Sequence, residues 1–245
     1  MAFTDVLFAA FLAAAATSLG ALMVLPFKKA GCNLFPLLLS FSAGMMAYSA
    51  AEMLNQSHQT AGDLAVAIGF TLGMVALVVS EKLLPHIHLL VRKKKLTSEK
   101  KKVALVVGTV TLHNVPEGFA IASAFAGSTP LGWLVATAIA IQDFPEGFLV
   151  SGPLSCYGME GKRSVQYGIL SGIVEFGAAV MGFLLLSFIS ALTPFALSFA
   201  AGAMAYLIFA ELLPDAFKKG FERGAAIAFI LGIALTYTLA SVMGF

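Results

Sequence analysis

Two short runs hold the residues best suited to chemistry. His113-Asn114-Val115-Pro116-Glu117-Gly118-Phe119 and Gln142-Asp143-Phe144-Pro145-Glu146-Gly147-Phe148 share one pattern: a polar pair, a spacer, then Pro-Glu-Gly-Phe. Helical residues three and four apart share a face, so His113 aligns with Glu117 and Gln142 with Glu146 at i, i+4. Asn114 with Glu117, and Asp143 with Glu146, are i, i+3 pairs. Packed together, two such helices bring one imidazole, two amides and three carboxylates into one pocket. Pro116 and Pro145 lack an N–H and free the carbonyls of Leu112 and Ile141, adding oxygen acceptors. This donor set suits a borderline divalent ion such as Zn²⁺, and also Cd²⁺, Fe²⁺ or Mn²⁺. It holds no thiolate, which argues against a soft-metal trap and fits reversible binding. Glu117 and Glu146 each lie on both faces of the pattern and could bridge two ions. Glu175, in the middle of a later apolar stretch, is a further carboxylate within reach of such a site.

The elements that must carry these groups are membrane helices. Of the 245 residues 59% are hydrophobic and only 11% charged, too few to cover a soluble surface. Mean hydropathy is +0.92. Apolar stretches of near bilayer-spanning length read as eight spans: Phe3–Phe27, Leu34–Asn55, Leu64–Leu84, Val103–Ala126, Leu131–Pro153, Val165–Ser190, Pro194–Phe217 and Gly224–Phe245. Lipid offers no partner for open backbone, so the spans are helical. The first lacks a basic leader and carries Asp5, which favours a span over a cleaved signal peptide. Cys32 and Cys156 make no disulfide framework. The expected fold is an all-α integral membrane protein, one transmembrane domain over residues 1–245. A carboxylate at mid-membrane costs several kcal/mol unless neutralised, so several together demand protons or a cation.

Charge placement orients the spans. All 15 Lys and Arg residues fall near the ends of spans 1, 3, 5 and 7, seven of them in a basic loop over residues 85–102. The breaks Gln56–Asp63, Gly127–Pro130 and Ala191–Thr193 carry none. Positive charge stays cytoplasmic, so both termini are expected outside the cytoplasm, in a multi-pass protein of the cell membrane. The Lys93–Lys102 run then enforces topology and touches anionic lipid rather than nucleic acid. With this parity, spans 4 and 5 and their Pro-Glu-Gly motifs run in opposite directions. Ala43-Gly44-Met45-Met46-Ala47-Tyr48 and Ala201-Gly202-Ala203-Met204-Ala205-Tyr206 echo each other across spans 2 and 7, again in opposite directions. Inverted repeats with polar groups near the midplane characterise transporters.

Other polar residues suggest a route. His86 and His88, at the cytoplasmic end of span 3, with the i, i+4 pair Glu211 and Asp215 in span 7, form a candidate exit relay. Met46, Ser49 and Glu52 on span 2 are candidates for the entrance. His58 reads as a loop residue and Trp133 as an anchor at the outer interface.

His-Asn-x-Pro-Glu-Gly in the fourth span, with its degenerate partner in the fifth, resembles the hallmark of the ZIP (Zrt/Irt-like) metal transporters. The likeness spans the whole chain, including the variable basic loop between helices 3 and 4. Gln142-Asp143 stands where many relatives have a histidine, as in the GufA-type prokaryotic branch, and replaces a nitrogen ligand with a weaker oxygen donor. The resemblance implies a binuclear centre, with His113, Glu117, Gln142 and Glu146 around one ion and Asn114, Glu117, Asp143, Glu146 and Glu175 around the other. It also implies a homodimer, and site-bearing helices that slide or rock against the rest.

The function expected is inward transport of divalent transition metals, zinc first, as cargo, with no organic cofactor and no enzymatic step. The alternative is an intramembrane zinc hydrolase, but such enzymes show HExxH or another open three-ligand site, and here Asn114 follows His113. A carrier of organic solutes predicts an Arg-lined pocket, and no Arg lies within a span.

Overall fold

A computed structural model describes residues 3–26, 30–93, 114–156, 159–217 and 220–244. These residues are helical, with no strand among them. Helix α1 is Phe3–Leu22, α2 is Ala30–Lys93, α3 covers residues 114–127, α4 is Thr129–Cys156 and α5 is Gly161–Phe188. A 3₁₀ turn, Ser190–Leu192, leads into α6, Thr193–Leu207. A π-helical turn, Ile208–Leu212, then joins α6 to α7, Leu213–Ala216, and α8 is Glu222–Met243. Among the described residues, six helical stretches are long and apolar enough to cross a membrane: Phe3–Leu22, Pro36–Ser80, Thr129–Gly152, Gly161–Phe188, Ser190–Ala216 and Glu222–Met243. The chain is thus an all-helical, multi-pass membrane protein.

Two sequence boundaries are corrected. The polar break expected at Gln56–Asp63 is helical, and narrows to Gly62, whose φ of 73° and ψ of −178° split α2 into two arms. The polar side chains there sustain the helix. Thr60 donates to the carbonyls of Gln56 (2.8 Å) and Ser57 (3.1 Å), and Gln59 Nε2 donates to Asn55 Oδ1 at 3.3 Å. Positive φ is open to glycine at little cost, so the reversal falls on Gly62. His58 and Asp63 pair across it at 3.0 Å. The loop expected over 85–102 is also shorter, because α2 continues to Lys93. Beyond Pro85 that stretch contains no helix breaker, and Leu, Arg and Lys are good helix formers. Residues 94–102 lie outside the described residues.

The helices group in two sets. Helices α1, α4 and α5 pack on one another, and α2 packs on α6 and α8 while also touching α4. Helix α3 joins the first set at Gly118, where a Cβ would overlap the carbonyl oxygen of Glu175 on α5. At the same place in the second motif, a Cβ on Gly147 would overlap the carbonyl oxygen of Thr17 on α1.

The α2 set repeats one contact. A Cβ on Gly44 would overlap the carbonyl of Phe229, and one on Gly232 that of Phe41. Likewise a Cβ on Gly202 would overlap the carbonyl of Phe70, and one on Gly73 that of Phe199. The residues behind it match too. Ser40-Phe41-Ser42-Ala43-Gly44 pairs with Phe229-Ile230-Leu231-Gly232, and Ser198-Phe199-Ala200-Ala201-Gly202 with Phe70-Thr71-Leu72-Gly73. The first arm of α2 therefore meets α8 as α6 meets the second arm. Small residues let helix backbones approach where lipid supplies no hydrophobic drive.

Candidate metal centre

The two Pro-Glu-Gly helices converge. Carboxylate oxygens of Glu117 on α3 and of Asp143 and Glu146 on α4 all lie within 4.8 Å of one another. Glu117 and Asp143 are fully buried and Glu146 is half-buried. Gln142 Nε2 donates to Glu117 Oε1 at 2.8 Å, joining the motifs directly. Helix α5 closes the third side, with Glu175 fully buried and its carboxylate close to that of Asp143. Ser171, one turn earlier on α5, donates to Asn114 Oδ1 at 3.0 Å. From the first arm of α2, Ser42 reaches the Gln142 carbonyl at 3.5 Å.

What remains unpartnered defines the chemistry. Glu117 Oε2, Gln142 Oε1, Asn114 Nδ2 and both oxygens of Asp143 and of Glu175 are buried without a hydrogen-bond partner. Buried polar groups are nearly always satisfied, and orphaned carboxylate oxygens are the costliest exceptions. Most of these orphans are acceptors, and four carboxylates supply the charge. A cation of charge two or more answers both at once.

Repetition stops at the ligand. Gly118 and Gly147 seat their neighbours alike, yet α5 brings Glu175 to that contact and α1 brings Thr17. The Thr17 hydroxyl is spent within its own helix, donating to the Ala13 carbonyl at 3.1 Å. The helix seated on Gly118 thus brings an acid at its contact residue, and the helix seated on Gly147 does not.

The other sequence candidates are placed as follows. His113 lies outside the described residues. His86 and His88 stand on the last part of α2, with side chains outside the described set. Glu211 falls in the π turn, half-buried, and Asp215 is exposed on α7; both interact with neighbours. Pro214 has no N–H for the Ala210 carbonyl, and Leu213 N–H bonds Ile208 O, five residues back. Met46 belongs to the apolar core, and Ser49 is buried with an unpartnered hydroxyl. Neither faces open solvent in this conformation. Glu52 is half-buried against the Tyr48 hydroxyl. Helix α4 continues through Pro145 without interruption. Ser42 and Ser171 were not among the sequence candidates. The one signal for Ser171 is its place four residues before Glu175.

A family model described as ZIP zinc transporter matches residues 90–240, more than half of the chain. The chain is 38% identical to the zinc transporter GufA of Myxococcus xanthus, over 97% of this chain and 98% of that one. It is 33% identical to the zinc transporter ZIPB of Bordetella bronchiseptica, over 94% of this chain and 78% of that one. With the zinc transporter ZupT of Enterobacter sp. (strain 638), identity is 30% over 96% of each chain. On the match to the family model and on these near-full-length likenesses, the chain belongs to the ZIP family and is of the GufA type.

Proposed function

We propose that this protein carries divalent transition metal ions, zinc foremost, across the membrane into the cytoplasm through the pocket between α3, α4 and α5. The observation that carries this reading is the cluster of Glu117, Asp143 and Glu146 within 4.8 Å, the first two fully buried with unpartnered carboxylate oxygens. Such a cluster is tenable in hydrocarbon when a doubly charged ion visits it. The names of the relatives, all zinc transporters, point the same way. Cadmium, iron and manganese fit the same oxygen-rich set. The hydrolase reading has no support from the relatives.

Within that reading, His113, Glu117, Gln142 and Glu146 hold one ion, and Asn114, Asp143 and Glu175 join Glu117 and Glu146 around a second. His86, His88, Glu211 and Asp215 lead outwards from the pocket to the cytoplasm. Met46, Ser49 and Glu52 form the entrance, which opens as the helix sets shift. The domain crosses the cell membrane eight times, in inverted repeats, with both termini extracytoplasmic, and works as a homodimer as the family resemblance implies. The 45-residue stretch Pro36–Ser80, about 68 Å long at 1.5 Å per residue, exceeds twice a ~30 Å hydrocarbon core; a reversal at Gly62 supports two crossings. The doubled glycine–carbonyl contacts support the repeat.

The test is uptake of isotopic zinc into proteoliposomes loaded with the wild type, Glu117→Ala or Glu146→Ala. Both variants are expected to insert and to lose uptake. Undiminished uptake in both removes the pocket from the pathway.

A further inference from the structure

We propose that Ser171 is a positioning residue that turns the Asn114 amide so that its oxygen, not its nitrogen, faces the cargo ion; this rests on the transporter reading above. An amide has two ends of nearly the same shape, and only the carbonyl oxygen can ligate a cation. In a pocket walled by carboxylates the NH₂ end has the stronger pull, since it would donate to them. Something must hold the amide the other way. Ser171 Oγ donates to Asn114 Oδ1 at 3.0 Å, with both residues buried, and so turns that oxygen toward α5. Glu175 stands on the same helix, one turn further on, and is fully buried with both oxygens unpartnered. The carbonyl oxygen keeps a second lone pair for the ion that Glu175 would share. Asn114 Nδ2 is left buried without a partner, so no second bond fixes the amide. The hydroxyl is the one hydrogen bond recorded for this side chain among the described residues.

Gln142 is held by the opposite logic. Its Nε2 is committed to Glu117 at 2.8 Å, which leaves Oε1 unpartnered. Each amide of the pocket is thus fixed by one bond, one through its nitrogen and one through its oxygen, and each retains an oxygen lone pair.

The test is zinc titration of the purified full-length protein by calorimetry, with thermal unfolding as a check on folding. Ser171→Ala is expected to weaken the apparent Kd about fivefold, the worth of one hydrogen bond. Ser171→Thr, which keeps the hydroxyl, stays within about twofold of wild type, while Ser171→Val, of the same shape without it, behaves as Ser171→Ala. In an Asn114→Ala background the Ser171→Ala change adds nothing, because the two act as one unit. An unchanged Kd in Ser171→Ala, or the same loss persisting without Asn114, overturns the proposal. Glu117→Ala in the same titration separates the two levels. If it abolishes binding while Ser171→Ala does not weaken it, only the positioning role falls. If Glu117→Ala binds normally, the pocket itself is misassigned.

Discussion

Gln142 on α4 donates its amide to Glu117 on α3 at 2.8 Å, and this bond ties the two Pro-Glu-Gly helices at the centre of the pocket. It occupies one carboxylate oxygen of Glu117 and leaves Oε2 and Gln142 Oε1 free for a cation. The amide thus neutralises nothing but orients two ligands at once. The family resemblance implies a histidine here in many members, and the exchange bears directly on which metals bind.

Gln142→His should therefore raise discrimination for zinc and cadmium over manganese. An imidazole nitrogen suits the borderline ions, while manganese keeps its preference for oxygen. Competition of unlabelled metals against isotopic zinc in proteoliposomes reads this out. The zinc-to-manganese preference is expected to rise about tenfold, and an unchanged ratio would mean that Gln142 does not touch the ion.

In the proposed two-ion centre Glu175 joins one ion only. If it serves only the second ion, Glu175→Ala lowers the bound zinc from two ions per chain to one, as counted by elemental analysis of equilibrated protein. Zinc should still raise the thermal midpoint of that variant, by mass action on the remaining site. Two ions retained, or none, contradict the division.

Gly118 and Gly147 seat the carbonyls of Glu175 and Thr17. Leucine at either position forces helices apart where backbone, not a flexible side chain, stands in the way. Overpacking of this kind costs about 1–3 kcal/mol, and more where backbone must move. Both variants should unfold several degrees below wild type, with Gly118→Leu also losing one of the two zinc ions because α5 carries Glu175. By contrast, Gly177, with open space around its Cβ position, should accept alanine with little change.

Topology can be read by labelling single cysteines in a background with Cys32 and Cys156 replaced. Cysteine at His58 or Gln59, both exposed and close to the kink at Gly62, should react with a membrane-impermeant maleimide added outside intact cells. Cysteine at Lys162 should react only after the cells are opened. The reverse pattern would invert the orientation and, with it, the assigned direction of the exit residues.

By its own composition the sequence determined that this is a helical membrane protein, because a chain with so few charges cannot cover a soluble surface. Spacing determined that Glu117 with Asn114, and Asp143 with Glu146, share helix faces, since the 3.6-residue period acts within a single helix. Periodicity does not reach across helices. Glu175 was legible as a further carboxylate, but only the tertiary structure decided that the two faces meet, that α5 seats on Gly118 as α1 seats on Gly147, and that Ser171 holds Asn114. The same holds for the reversal at Gly62. A window of polar residues marks a break, but the left-handed φ that turns the chain belongs to one glycine, and is set by what the two arms pack against. Ser42, Gly44 and Gly202 read in sequence as ordinary small residues of membrane helices, and acquire meaning only from the carbonyls opposite them. Local periodicity is written in the chain; the partner of each face is chosen by close packing between helices that lie far apart along it.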